Sequence, residues 1–175
     1  EWDVKCELEV IPMRGWRRWM NFTDTKLPWI YPSPNMPTPE NCFHFVGTVM
    51  LEGTNLSEGR GTTQSLALLG HPKIRPYEFL EQVKKHSEIE FEGVVLRECT
   101  FQPTFQKHAG VDCGGLQLHL TNPQKYNPWE VVLVLVREAK RYLGDDFQWK
   151  EPPYEYEYHK NPFDLIHGSD QVRLW

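Results

Sequence analysis

Phe45-Val46-Gly47-Thr48-Val49-Met50-Leu51 leads directly into Glu52-Gly53-Thr54-Asn55-Leu56-Ser57-Glu58-Gly59-Arg60-Gly61-Thr62-Thr63. The first run is rich in β-branched and aromatic residues and reads as a buried strand within Phe43–Leu51. The stretch from Leu51 to Thr63 packs two carboxylates, one guanidinium, one amide, four hydroxyls and three glycines into 13 residues. Polar groups this dense compete with one another unless a ligand or a closed network satisfies them. A rigid element that ends in glycine-spaced polar residues can present them to a site, because glycine lets the backbone reverse sharply. Two readings follow: a ligand site, or a satisfied turn network beneath the core.

Working outward, the chain supplies the rest of an α+β domain. Pro76–His86 has proline in its first turn and Phe79, Leu80 and Val83 on one face, which predicts a helix. Pro128–Leu143 repeats Trp129, Val132, Leu133 and Val136 at helical spacing, with Asn127 to cap its start and Gly144 its end. Asp164–Gly168 reads as a short helix stopped by glycine, and Pro39–Cys42 as a possible helical turn. Thr62–Gly70 reads as a short helix or turn closed by Gly70. Phe91–Phe101 is β-rich and broken by Gly93. Leu116–Leu120 alternates, with Gln117 and His119 on one face, and Cys113-Gly114-Gly115 is expected to turn the chain before it. Val4–Val10 alternates like a half-buried strand. Leu27–Pro39 carries five prolines but also Trp29, Ile30, Tyr31 and Met36, so it reads as a loop packed on the domain. The expected class is α+β, a single domain with a mixed central sheet, two main helices and long Pro-rich loops.

Bulk properties exclude several functions. The 175 residues carry a net charge of -5. No basic stripe exists to neutralise a nucleic-acid backbone, so no nucleic-acid partner is expected. The lone basic cluster, Arg14, Arg17 and Arg18, interleaves with Trp16 and Trp19. No stretch approaches the length of a membrane-spanning helix. Cys6, Cys42, Cys99 and Cys113 have no zinc spacing, which implies no metal and free buried thiols. No cofactor motif appears: Gly59-Arg60-Gly61 lacks the Gly-Lys-Ser/Thr of a phosphate loop, and Ser57 has no nucleophile elbow. The 7 Trp, 7 Tyr and 9 Phe suit a carbohydrate ligand, because aromatic faces stack on the CH face of a pyranose, and equally suit a core.

Glu52 and Glu58 could form the carboxylate pair of a glycosidase, which needs a separation of roughly 5 to 9.5 Å. Equally, Glu58 and Arg60 could be an ion pair that shapes the loop. His119 could be an acid, a base or a sugar contact, or a hydrogen-bonded core residue.

Taken in order, several motifs form a recognisable set. They are Gly15-Trp16-Arg17-Arg18, Pro32-Ser33-Pro34-Asn35-Met36-Pro37-Thr38, Glu52 to Thr63, Phe101 to Phe105, Cys113-Gly114-Gly115 and Leu165-Ile166-His167-Gly168-Ser169. Together they resemble the C-terminal portion of the bacterial exo-β-N-acetylmuramidase family, formerly catalogued as a domain of unknown function. Gly70-His71-Pro72 and Gln64-Ser65-Leu66 depart from the family's usual Gly-Ala-Pro and Pro-Phe.

The resemblance implies release of non-reducing terminal N-acetylmuramic acid from peptidoglycan fragments, at a cleft between a Rossmann-like N-terminal domain and a C-terminal α/β domain. It places the principal catalytic glutamate on the N-terminal domain. Residues 1–175 are accordingly expected to be the C-terminal, cleft-forming domain, with the N-terminal domain of the same protein as partner. The abrupt Glu1-Trp2-Asp3-Val4 start reads as a piece of a longer chain. By resemblance, the location is extracellular or periplasmic. The alternatives are a non-catalytic sugar-binding module and a structural partner domain. The chemistry of N-acetylmuramic acid then suggests roles. Arg60 would pair with the lactyl carboxylate. Asn35 and Asn55 would meet the acetamide, while Glu52 and Glu58 would accept from hydroxyls. Ser57, Thr62 and His119 complete the expected contacts, and Trp29 or Tyr31 would stack on the ring.

Overall fold

Gly114 and Gly115 do not turn the chain; they lie within the central strand of a sheet. In the computed structural model, which describes residues 5–174, β1 is Leu68–His71, β2 is Val94–Phe101 and β3 is Cys113–Leu120. Their order is β1-β3-β2 and both pairings are antiparallel. Gly115 sits opposite Gly70 on β1 and Cys99 on β2. A Cβ there would stand 1.9 Å from the carbonyl oxygen of Leu69, so the neighbouring backbone admits only glycine. Gly70, expected to close a helix or turn, is a strand residue; the turn before it ends at Leu66.

The helices are α1, Asn41–Thr48; α2, Pro76–His86; α3, Pro128–Leu143; and α4, Pro162–His167. The expected α2 and α3 have the predicted bounds. The side chain of Asn127 accepts from the backbone N–H of Glu130, and Gly144 caps the far end of α3. α2 packs on β2 and β3, and α3 packs on α1 and α2. Phe79, Val83, Leu116, Leu118, Val132 and Leu135 belong to one core.

The expected strand at Phe43–Leu51 is α1 followed by a 3-10 turn, Val49–Gly53. Its buried residues are Asn41, His44, Gly47 and Thr48, which is helical spacing. Val46, one of the β-branched residues that suggested a buried strand, is 52% exposed. What faces inward is small or polar, and His44 Nδ1 lies 3.2 Å from Tyr126 Oη. Asn41 accepts from Thr38 Oγ1 (2.8 Å) and donates to the Ser65 carbonyl (2.7 Å). Thr48 Oγ1 donates to the His44 carbonyl at 3.0 Å. Gly47 is where α1 touches α3: a Cβ would stand 2.1 Å from the Pro128 carbonyl oxygen and 2.8 Å from Val132 Cγ2. Gly47→Ala is therefore expected to lower stability by about 2 kcal/mol despite its better helix propensity. Urea unfolding measures it.

Chain contacts divide the molecule into two units, one ending at Ile30 and the other starting at Tyr31. In the first, Phe22–Thr25 is a 3-10 turn, and Phe22 meets Trp29 edge to face at 4.8 Å. The strand expected over Val4–Val10 is absent from Lys5–Val10, which is exposed; Val4 lies outside the described residues. Its alternation finds no ladder partner among the described residues, and a lone strand is not stable in water. Among the described residues, the strands and α-helices lie in the second unit, whose class is α+β as expected; its sheet is antiparallel throughout rather than mixed. The four thiols are free, but Cys6 and Cys42 are exposed rather than buried.

Candidate functional site

The polar run Glu52–Thr63 is pinned along the free edge of β1. Ser57 and Gly70 exchange both backbone hydrogen bonds, at 2.8 and 3.0 Å, and the Leu66 N–H donates to the Glu58 carbonyl at 2.8 Å. Gly59 (φ 73°) and Gly61 (φ 79°) flank Arg60 in the left-handed region. That conformation strains any side chain with a Cβ, and here it folds Arg60 back over the two glutamates.

The side chains form a line of alternating charge. Tyr154 Oη donates to Glu52 Oε2 at 2.6 Å, and Arg60 Nη2 donates to Glu52 Oε1 at 2.5 Å. Arg60 Nε donates to Glu58 Oε1 at 2.8 Å. Lys107 Nζ forms an ion pair with Glu58 Oε2 at 2.7 Å. The same ammonium donates to the carbonyls of Leu51 (2.7 Å) and Thr54 (3.3 Å). The Glu58 side chain is 2% exposed. Burial pushes its carboxyl up, but the Lys107 charge and the hydrogen bonds from Lys107 and Arg60 outweigh this and hold it below its ordinary value. Burial pulls the Lys107 ammonium below its ordinary value, and Glu58 offsets part of that.

A second knot holds the loop around Asn55. Its side-chain oxygen accepts from the Gln148 N–H at 3.0 Å, and its amide donates to the Asp146 carbonyl at 2.8 Å. His108 Nε2 lies 2.7 Å from the Asn55 carbonyl. His108 also meets His71 edge to face at 4.8 Å. Burial, then the neighbouring His108, pushes His71 down to about 4, so its ring is neutral at neutral pH.

These elements enclose a cleft of about 940 Å³, lined by residues from 52–60, 106–107 and 148–155. Of the residues expected from sequence, Glu52, Asn55, Glu58 and Arg60 line it. The other four lie off its lining. Ser57 Oγ accepts from the Gly59 N–H at 3.1 Å, and Thr62 Oγ1 donates to the Gly59 carbonyl at 2.6 Å, so both serve the turn. Asn35 Oδ1 accepts from Ser65 Oγ at 3.3 Å. His119 accepts from Arg97 Nε at 3.1 Å on the sheet, beside Gln117 as expected. Trp29 stands in the other unit, and Tyr31 is exposed.

The sequence reading did not put Lys107, Trp149 or Tyr154 in the site. Tyr154 meets Glu52 across 102 residues, which no local spacing can show. Among the described residues, no cluster of His, Cys, Asp and Glu could hold a metal ion, and no helix is long and apolar enough to cross a membrane.

The arrangement is suited to recognition. Both glutamates are held by partners, Glu52 by Tyr154 and Arg60 and Glu58 by Arg60 and Lys107. Arg60 has an unspent donor group: its Nη1 makes no hydrogen bond among the described residues, and the side chain lines the cleft.

Residues 43–175 match the family model described as exo-beta-N-acetylmuramidase NamZ, C-terminal, and residues 1–40 match that of the N-terminal part. The chain is 39% identical, over 173 residues, to the peptidoglycan beta-N-acetylmuramidase NamZ of Bacillus subtilis, and it spans 39% of that protein's length. Two crystal structures of Bacteroides fragilis DUF1343 family proteins share the fold. One superposes with a TM-score of 0.79 at 22% identity, covering 97% of this chain and 43% of the other. The second gives a TM-score of 0.52 at 22% identity, covering 82% and 34%. The match over residues 43–175 decides the assignment: this chain belongs to the family of the exo-β-N-acetylmuramidase NamZ C-terminal domain.

Proposed function

We propose that the cleft binds a non-reducing terminal N-acetylmuramic acid of peptidoglycan, as the recognition half of an exo-acting glycosidase. The observation that carries this reading is the Tyr154–Glu52–Arg60–Glu58–Lys107 line. It fixes one guanidinium against the cleft with Nη1 unspent, and N-acetylmuramic acid differs from N-acetylglucosamine by its lactyl ether, which ends in a carboxylate. A guanidinium is the side chain best matched to a carboxylate. Glu52 and Glu58 position Arg60 and accept from sugar hydroxyls; they do not cleave the bond. Asn55 shapes the wall, because its amide is spent on Asp146 and Gln148. Bond cleavage falls to the N-terminal domain of the full-length protein, as the family resemblance implies, and the work is done in an extracellular or periplasmic location.

The same paired carboxylates also fit a second reading, a cell-wall sugar-binding module without catalysis. Two measurements test the proposal. Calorimetric titration of the chain with methyl glycosides of N-acetylmuramic acid and N-acetylglucosamine should show binding of the first at least tenfold tighter, the usual value of one good charge-assisted contact. Equal affinities overturn the carboxylate assignment. The full-length protein should release N-acetylmuramic acid and the chain alone should not. Binding by both without turnover by either supports the module.

A further inference from the structure

The hairpin that carries Tyr154 has two sides. Its inner side faces the cleft. On its outer side is a second hollow of about 390 Å³, lined by Tyr154, Glu155, Tyr156, Glu157, Leu165 and Ile166. Tyr154 and Glu155 line both spaces, so the hollow and the cleft lie on either side of a single turn. The hairpin is closed by two backbone bonds between Tyr154 and Glu157, at 2.9 and 3.0 Å. Glu155 is held at φ 52°, a conformation a residue with a Cβ adopts only under constraint. The turn thereby carries Tyr156 at its tip, 90% exposed.

The lining has a distinct chemistry. Leu165 and Ile166, on α4, supply a hydrocarbon floor, and two phenol rings supply faces. The carboxylates stand at the rim. Glu155 makes no hydrogen bond among the described residues. Glu157 Oε1 is occupied by the backbone N–H groups of His159 (2.7 Å) and Lys160 (3.1 Å), which leaves Oε2 open. A pyranose has the complementary form: an apolar CH face with hydroxyls around its edge. A tyrosine offers an apolar ring face and a polar tip to such a ligand.

We propose that this hollow is a subsite for the second sugar ring, the N-acetylglucosamine that follows the terminal N-acetylmuramic acid in a glycan chain, with Tyr156 as its stacking platform. The inference rests on the functional reading above. The first ring fills the cleft against Arg60, and the chain leaves over the Tyr154–Glu157 turn. An N-acetylglucosamine ring carries no charge, and no Lys, Arg or His is among the residues that line the hollow.

The experiment compares two substrates in the full-length protein: the methyl glycoside of N-acetylmuramic acid, which has one ring, and the N-acetylmuramic acid–N-acetylglucosamine disaccharide. In the unaltered protein the disaccharide should have the lower KM. Tyr156→Ala should raise that KM about fivefold to tenfold, the usual value of an aromatic stacking contact. It should leave kcat and the KM for the methyl glycoside within twofold. Tyr156→Phe should behave as the unaltered protein, since the ring and not the hydroxyl is used. Because Tyr156 is almost fully exposed, the alanine variant should melt as the parent does. If Tyr156→Ala leaves both KM values unchanged, or raises both equally, the subsite is wrong while the reading of the cleft stands. If the unaltered protein acts on neither substrate, the functional reading falls and the subsite falls with it. A gain seen only when the lactyl group carries a peptide would assign the hollow to the peptide stem and overturn the sugar subsite.

Discussion

Replacing Lys107 by methionine should cost about 3 kcal/mol of folding stability, the usual result of stranding one partner of a buried ion pair. Methionine keeps the apolar stem of lysine and removes the ammonium alone. That ammonium is shared by Glu58 and by the carbonyls of Leu51 and Thr54, so its loss takes one partner from each of three acceptors. Glu58 would keep Arg60 but lose the charge that most strongly holds it ionised. The pH dependence follows from the direction of the shift. In the native protein the Glu58 carboxyl is held below its ordinary 4.5, so its contribution is present above that value and is lost as the pH falls through the depressed one. In the variant, burial remains and the compensating charge does not, so the carboxyl moves up and ionisation becomes costly. The stability gap between the two proteins should be widest near neutral pH and should narrow as the pH falls below 4.5. Denaturant titrations at a series of pH values measure it. A gap that does not vary with pH would show that Lys107 acts through packing alone.

Replacing Arg60 should act on ligand choice. Arg60→Ala should weaken N-acetylmuramic acid binding on the order of 10- to 100-fold, the value of a charge-assisted hydrogen-bond pair to a carboxylate. Binding of N-acetylglucosamine should change little, so the preference for the lactyl-bearing sugar should disappear. The alanine variant also takes a partner from Glu52 and from Glu58, which keep Tyr154 and Lys107. A thermal melt establishes that it folds. Arg60→Lys supplies the second comparison. It keeps a cation but loses the planar fork, which ties Glu52 through Nη2 and Glu58 through Nε while leaving Nη1 to the cleft. Its preference should fall between those of the parent and the alanine variant. An alanine variant that keeps the full preference would remove Arg60 as the reader of the carboxylate.

The sequence by itself determined the elements whose signals are local. The helix α3 announces itself by an apolar stripe at helical spacing, an asparagine that caps it and a glycine that ends it. In α2 a proline in the first turn does the same work, and α4 is marked by the glycine that stops it, although it starts at Pro162, two residues before the expected Asp164. Gly59 and Gly61 mark the turn that presents Arg60, so the polar run could be read as a site or a network; the structure shows a network that lines a cleft.

Tertiary contacts decided the rest. Phe43–Leu51 has strand-like composition, yet Gly47 must lie against the start of α3, and only a helix turns Asn41, His44, Gly47 and Thr48 to one side. Gly114-Gly115 looks like a turn in isolation; in the sheet, the closeness of Leu69 and Ile74 makes it a strand. Whether Glu52 and Glu58 were catalytic or paired could not be read locally, because their partners Tyr154 and Lys107 lie 102 and 49 residues away in sequence. A carboxylate's role is set by the charges and hydrogen bonds that reach it in space, and the chain folds those in from elsewhere.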